Sequence, residues 1–172
     1  NTALGSHSLR LNSTGQYNTA LGSNTLRNNS TADNNVAIGR DSMQDNTTGT
    51  ANTAVGSQAL HANTTANDNT AIGYAAMIDN TTGTANTALG AYALPANTTA
   101  NNNTAVGYYA LRLNTTGASN VAVGRAALDA NTTANYNTAI GDNSLTANTT
   151  GASNTAVGQS SLYSNTTASN NT

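Results

Sequence analysis

The sequence predicts an all-β parallel solenoid, or β-roll, of ten 17-residue coils, and three observations carry that prediction. The 172 residues align with themselves at a period of seventeen without one insertion, leaving two residues over. Seventeen residues are too few for a helix pair, whose repeats start near 33 residues. They suffice for one solenoid turn with two short strands and two bends. Helix formers are also scarce: Lys and Glu are absent, and Leu is sparse and periodic.

Coil one runs from Asn1 to Tyr17, coil two from Asn18 to Asn34, and coil ten from Asn154 to Asn170, with Asn171 and Thr172 opening an eleventh. The consensus is N-[TV]-A-[LIV]-G-x-x-[AST]-[LM]-x-x-N-[ST]-T-[GA]-x-x. Asn at one, Ala at three, Gly at five, Asn at twelve and Thr at fourteen never vary among the ten coils. The residues 1–172 therefore read as a single continuous solenoid segment. Neither end departs from the consensus as a capping coil would, so the segment reads as a window on a longer array.

The opening T-A-V-G stretch predicts the first strand, because side chains alternate between faces with period two. Position four is always aliphatic and branched: Leu4, Leu21, Ile38, Val55, Ile72, Leu89, Val106, Val123, Ile140 and Val157. Position nine is always Leu or Met: Leu9, Leu26, Met43, Leu60, Met77, Leu94, Leu111, Leu128, Leu145 and Leu162. These are the two expected core columns, stacked about 4.8 Å apart in a rod roughly 48 Å long. Gly at five marks a bend or a close backbone approach. Variable positions six, seven, ten and eleven carry every Arg and most Asp, and Pro95 falls among them, so they mark the wet face.

Two columns of asparagine predict amide ladders at the bends, bonded to one another and to the turn backbone. One holds Asn18, Asn35, Asn52, Asn69, Asn86, Asn103, Asn120 and Asn137; the other holds Asn12, Asn29, Asn46, Asn63, Asn80, Asn97, Asn114, Asn131, Asn148 and Asn165. A longer period lies on top. Position fifteen alternates Gly15, Ala32, Gly49, Ala66 and onward to Gly151 and Ala168, making the unit a 34-residue double coil. Duplication of a two-coil unit and interlocking of two turn shapes both account for it.

Several functions are excluded. The net charge is -2 with no basic run, which argues against nucleic acid and anionic membrane surfaces. No apolar stretch approaches the roughly 20 residues of a membrane span, so no direct membrane insertion is expected. Without Cys there is no disulfide framework or thiolate site. His7 and His61 sit in different columns several coils apart, the aspartates form no ladder, and no phosphate loop or calcium signature appears. No enzyme, metal or cofactor is expected.

Three surface features bear on binding. The N-[ST]-T segment at position twelve is a glycosylation acceptor in every coil, but a glycan is wider than the coil spacing, which favours the ladder. The Thr files at thirteen and fourteen resemble those of ice-binding solenoids, although adjacent residues are expected to point oppositely. Tyr74, Tyr92, Tyr108 and Tyr109 cluster over three coils, where rings could stack on a sugar or a receptor.

The core N-V-A-I-G of Asn35 to Gly39, with its N-T-A-[LIV]-G variants, resembles the N-S-V-A-I-G repeat of trimeric autotransporter adhesin heads. The N-T-T-G segments are similar to repeats of phage tail-fibre proteins. The resemblance spans all ten coils; the adhesin repeat is shorter, lacking the extra N-T-T-[GA] segment. It implies a left-handed parallel β-roll of three chains in an extracellular, cell-surface or virion fibre. Two large apolar side chains per coil is a thin core, so association is expected on physical grounds too, through the small residues at three and eight. The expectation is a structural fibre or filament segment with adhesive use, whose partners are copies of itself and surface glycans or a host receptor. The alternative is a monomeric ice-binding or glycan-binding solenoid.

Overall fold

A computed structural model describes residues 1–172. Ten three-residue strands follow in order: β1 Thr2–Leu4, β2 Thr19–Leu21, β3 Val36–Ile38, β4 Thr53–Val55, β5 Thr70–Ile72, β6 Thr87–Leu89, β7 Thr104–Val106, β8 Val121–Val123, β9 Thr138–Ile140 and β10 Thr155–Val157. They form one parallel sheet in sequence order, and each strand pairs with the next at a step of one coil, as Thr70 with Thr87 and Ile72 with Leu89. The fold is an all-β parallel solenoid without a helix.

Only one strand forms per coil, where two were expected. The reason lies in the backbone of the far side. Positions seven, nine and seventeen of every coil adopt the left-handed region, with φ between 47° and 62°. A β-ladder cannot run through alternating left-handed residues, so positions six to eleven make a wide turn. Its N–H groups still find partners in neighbouring coils: the Leu60 N–H donates to Ala76 O at 3.0 Å and the Ala62 N–H to Ile78 O at 3.0 Å. Of 106 backbone hydrogen bonds only 18 join strand residue to strand residue, and most of the other 88 stitch the turns of neighbouring coils together.

The invariant Gly at five serves both uses expected of it. Gly73 and Gly90 have φ of 136°, a conformation that side chains rarely adopt. A Cβ on Gly73 would also sit 2.5 Å from the carbonyl oxygen of Gly90 in the coil above, which is backbone and cannot swing aside.

The core differs from the expected one. The position-nine column is buried as expected, from Leu26 through Met43, Leu60, Met77, Leu94, Leu111 and Leu128 to Leu145, with Leu9 and Leu162 packed against its ends. The position-four column is not in the core. Leu4, Leu21, Ile72, Leu89, Ile140 and Val157 are exposed, and Ile38, Val55, Val106 and Val123 are half-buried. The inward residue of each strand is instead Ala at three, from Ala20 to Ala156, packed beside position eight and the Leu/Met column. The alanines thus line the interior and are not an outer face for another chain. A coil of this circumference leaves room opposite Leu for a methyl group only. Where position eight is polar, its hydroxyl is satisfied by the next coil: Thr25 Oγ1 donates to Gly39 O at 2.9 Å and Ser144 Oγ to Ala156 O at 3.0 Å.

The other half of the interior is amide. At position twelve each Nδ2 donates to the Oδ1 of the coil before, in an unbroken run of nine steps from Asn29 onto Asn12 to Asn165 onto Asn148. Its second hydrogen goes to the position-fifteen carbonyl of its own coil, as from Asn80 to Gly83 O at 2.9 Å. At position one each Oδ1 accepts the backbone N–H of the next asparagine, as Asn69 accepts from Asn86 at 2.9 Å. Its Nδ2 meets that same carbonyl, as from Asn69 to Gly83 O at 2.9 Å. Asn1, Asn154 and Asn171, which lie at the ends of the array, belong to this second ladder as well. Asn137 is the exception, its Nδ2 having no partner. Buried amides left unpaired would cost about 1–3 kcal/mol each; here nearly all are paired.

The 34-residue period has a physical cause in the turn at sixteen. In each Gly coil the position-sixteen N–H donates to the side chain at sixteen in the following Ala coil. Thr50 donates to Asn67 Oδ1 at 2.7 Å, Thr84 to Asn101 at 2.7 Å and Ala118 to Asn135 at 2.6 Å. A Cβ at fifteen of the Gly coil would collide with the next coil's carbonyl; on Gly83 it would also lie 2.6 Å from Asn80 Oδ1. The two turn shapes interlock.

Candidate functional site

No cavity opens in this rod, so anything it binds must be read from its surfaces. Four columns or patches present themselves.

The strand face is the most extensive. With Ala inward, positions two and four point out, giving one file of Thr (Val at Val36 and Val121) beside one file of Leu, Ile and Val. The aliphatic file is 45% exposed at Leu89 and 68% at Leu4. Neither file holds a charge, and both run the length of the sheet. The charges lie elsewhere, on the turns, and two ion pairs run down their own columns: Arg125 Nη2 donates to Asp142 Oδ2 at 3.0 Å and Arg112 Nε to Asp129 Oδ1 at 2.8 Å. A contiguous exposed apolar stripe without charge is the kind of surface that marks an interaction site. The residues expected to form one core column therefore make the principal candidate site.

The Thr files separate. Position thirteen is half-buried and spends its hydroxyl on the next coil's carbonyl, as from Thr47 Oγ1 to Thr64 O at 2.9 Å. Position fourteen is exposed throughout. The two do not form one flat face, and Thr fourteen stands as a single file. The acceptor asparagines beside them are fully buried from Asn29 to Asn148, with both amide hydrogens donated, so no attachment point is free without opening the ladder.

The fourth feature is aromatic. Tyr74, at position six of coil five, meets Tyr92, at position seven of coil six, edge-to-face at 5.2 Å between ring centres. Tyr92 lies 5.5 Å from Tyr109 in coil seven, and Tyr109 lies 4.0 Å from Tyr108. Arg112 places its guanidinium carbon 5.2 Å over the Tyr109 ring and is held on Asp129 by two bonds of 2.8 Å. That carboxylate keeps the guanidinium above its ordinary pKa. Hydrogen bonding with Tyr74 raises the Tyr92 phenol, and with Tyr109 the Tyr108 phenol. The sequence brought these tyrosines together; the part of Arg112 and Asp129 was not legible, because it depends on which columns face each other across a coil step.

His7 and His61 do not meet, and His61 Nδ1 lies 3.9 Å from Asp45.

Fold and surfaces together define a class: a tandem-repeat parallel β-solenoid with a polar ladder interior and an uncharged, partly aliphatic outer sheet. Against family models, curated proteins and solved structures, the chain has no match.

Proposed function

We propose that this chain is a structural segment of an extracellular or virion fibre, formed by copies of itself packed along the outward strand face. The observation that supports this most is the aliphatic file at position four. The core closes without it, yet every coil keeps a branched aliphatic side chain there, exposed at Leu4, Leu21, Ile72, Leu89, Ile140 and Val157 and half-buried in the other four coils. Burying that file between chains supplies the apolar area that a single coil lacks, at roughly 25 cal/mol per Å². Three chains about one axis is the arrangement that the adhesin-head resemblance implies. The activity is mechanical and positional, with no catalytic step and no cofactor. Electron microscopy of the full-length protein tests the reading: straight, unbranched rods of constant width are expected, and globular single particles would contradict it.

A second reading is favoured by the same face. Thr and an aliphatic residue two positions apart, repeated every 4.8 Å or so on an uncharged sheet, form an array suited to ordering water. On that reading the chain is a monomeric ice binder. Thermal hysteresis from a monomeric sample would support it in place of the fibre.

A further inference from the structure

We propose that Tyr74, Tyr92, Tyr108 and Tyr109, with Arg112 and Asp129, form a stacking plate that binds a neutral oligosaccharide. The plate goes beyond the fibre reading and does not depend on it, since it sits on the turn at positions six, seven and ten and not on the strand face.

Other coils fill positions six and seven with Ser, Ala, Asn, Asp, Gln, His or Arg. Aromatic rings occur there in three successive coils only, and the stacking of coils makes them one surface. The rings fill no core, because Leu94 and Leu111 are fully buried beneath the same coils. Tyr74 and Tyr108 are 46% and 47% exposed. Four rings, each within 5.5 Å of the next and packed edge-to-face or tilted, run over two coil steps, or about 10 Å, with Tyr74 and Tyr108 presenting the most exposed rings and hydroxyls. That is room for a short oligosaccharide and more than a single sugar ring requires.

Charge selects the ligand class. The one cation on the plate, Arg112, is already neutralised by two bonds to Asp129, and neighbouring Arg125 is paired with Asp142. A plate without net positive charge has little to offer a phosphate backbone, whose binding rests on neutralising phosphates. Aromatic faces are electron-rich and suit the C–H face of a sugar ring, and the exposed Tyr74 and Tyr108 rings are the ones that can present them. The spare N–H groups of Arg112, the free lone pairs of Asp129 and the phenols suit its hydroxyls. Arg112 cannot leave the Tyr109 face without leaving Asp129.

The test is a glycan array carrying neutral, sialylated and sulfated oligosaccharides, probed with the labelled chain. Retention on at least one neutral class is expected, followed by titration of that oligosaccharide using tyrosine fluorescence, which no Trp obscures. The double variant Tyr92→Ala/Tyr109→Ala should lose at least tenfold in affinity. It should fold normally, because Ala75 and Ala126 occupy the same position seven with φ of 52°; unchanged circular dichroism checks this. Should it not, Tyr74→Ala/Tyr108→Ala removes the two most exposed rings and should show the same loss. Tyr17→Ala/Tyr163→Ala, away from the plate, should bind as wild type. The proposal is overturned by retention of no neutral glycan, by retention of only sialylated or sulfated ones, or by plate variants that bind undiminished. Loss of self-association in the double variant would equally overturn it, assigning the plate to a contact between copies.

Discussion

Position nine shows most plainly how a residue choice is dictated. Its backbone is left-handed in every coil, with φ from 47° to 52°, and a side chain branched at Cβ crowds the carbonyl in that region. Leu and Met fit; Val and Ile do not, which is why position four accepts all three aliphatics and position nine only unbranched-β ones. Positions seven and seventeen follow the same rule: none of their residues is Val, Ile or Thr, although Thr is among the commonest residues of the chain. That void in the Thr distribution was a legible sign of left-handed turns, and it is what separates one strand per coil from two. Leu94→Ile should therefore cost about 1–3 kcal/mol despite equal volume, whereas Leu89→Ile in the strand should stay within about 0.5 kcal/mol. Urea denaturation of the two variants measures the contrast. The ladder gives a second residue-scale test. Asn80→Ala strips Asn63 and Gly83 of a donor and Asn97 of its 2.7 Å acceptor, all buried. A loss of about 2–4 kcal/mol is expected, against almost none for the exposed neighbour Thr82→Ala.

At the scale of the coil, the interlocked turns make neighbouring coils unequal. Gly83→Ala would push a methyl group into the Ala100 carbonyl and Asn80 Oδ1, while Ala100→Gly only removes one. The first should lower the melting temperature sharply. The second should cost about 1 kcal/mol, near the Gly–Ala difference in backbone entropy. Asn101→Ala, which removes the acceptor for the Thr84 N–H at 2.7 Å, should cost about 1 kcal/mol. The coil length, the Asn ladders and the bend at Gly five were all legible in the repeat, because each rests on a residue that every coil must supply. The direction of the strand was not. A three-residue strand offers one side chain to one face and two to the other, and size alone favours placing the larger pair inside. The readable sign was variability: Ala at three never changes, as an interior slot of one methyl group requires, while position four exchanges Leu, Ile and Val freely.

Across the whole molecule, that reversal turns a supposed core column into an outer stripe roughly 45 Å long, and makes self-association the central claim. Sedimentation equilibrium of the 172-residue chain beside its Ile72→Asp/Leu89→Asp variant tests it most directly. Both substituted side chains point outward, so the variant should keep its circular dichroism and sediment as a 17.2 kDa monomer. Wild type should sediment at a small whole-number multiple of that mass. A wild type that stays at 17.2 kDa at every loading concentration would contradict the account.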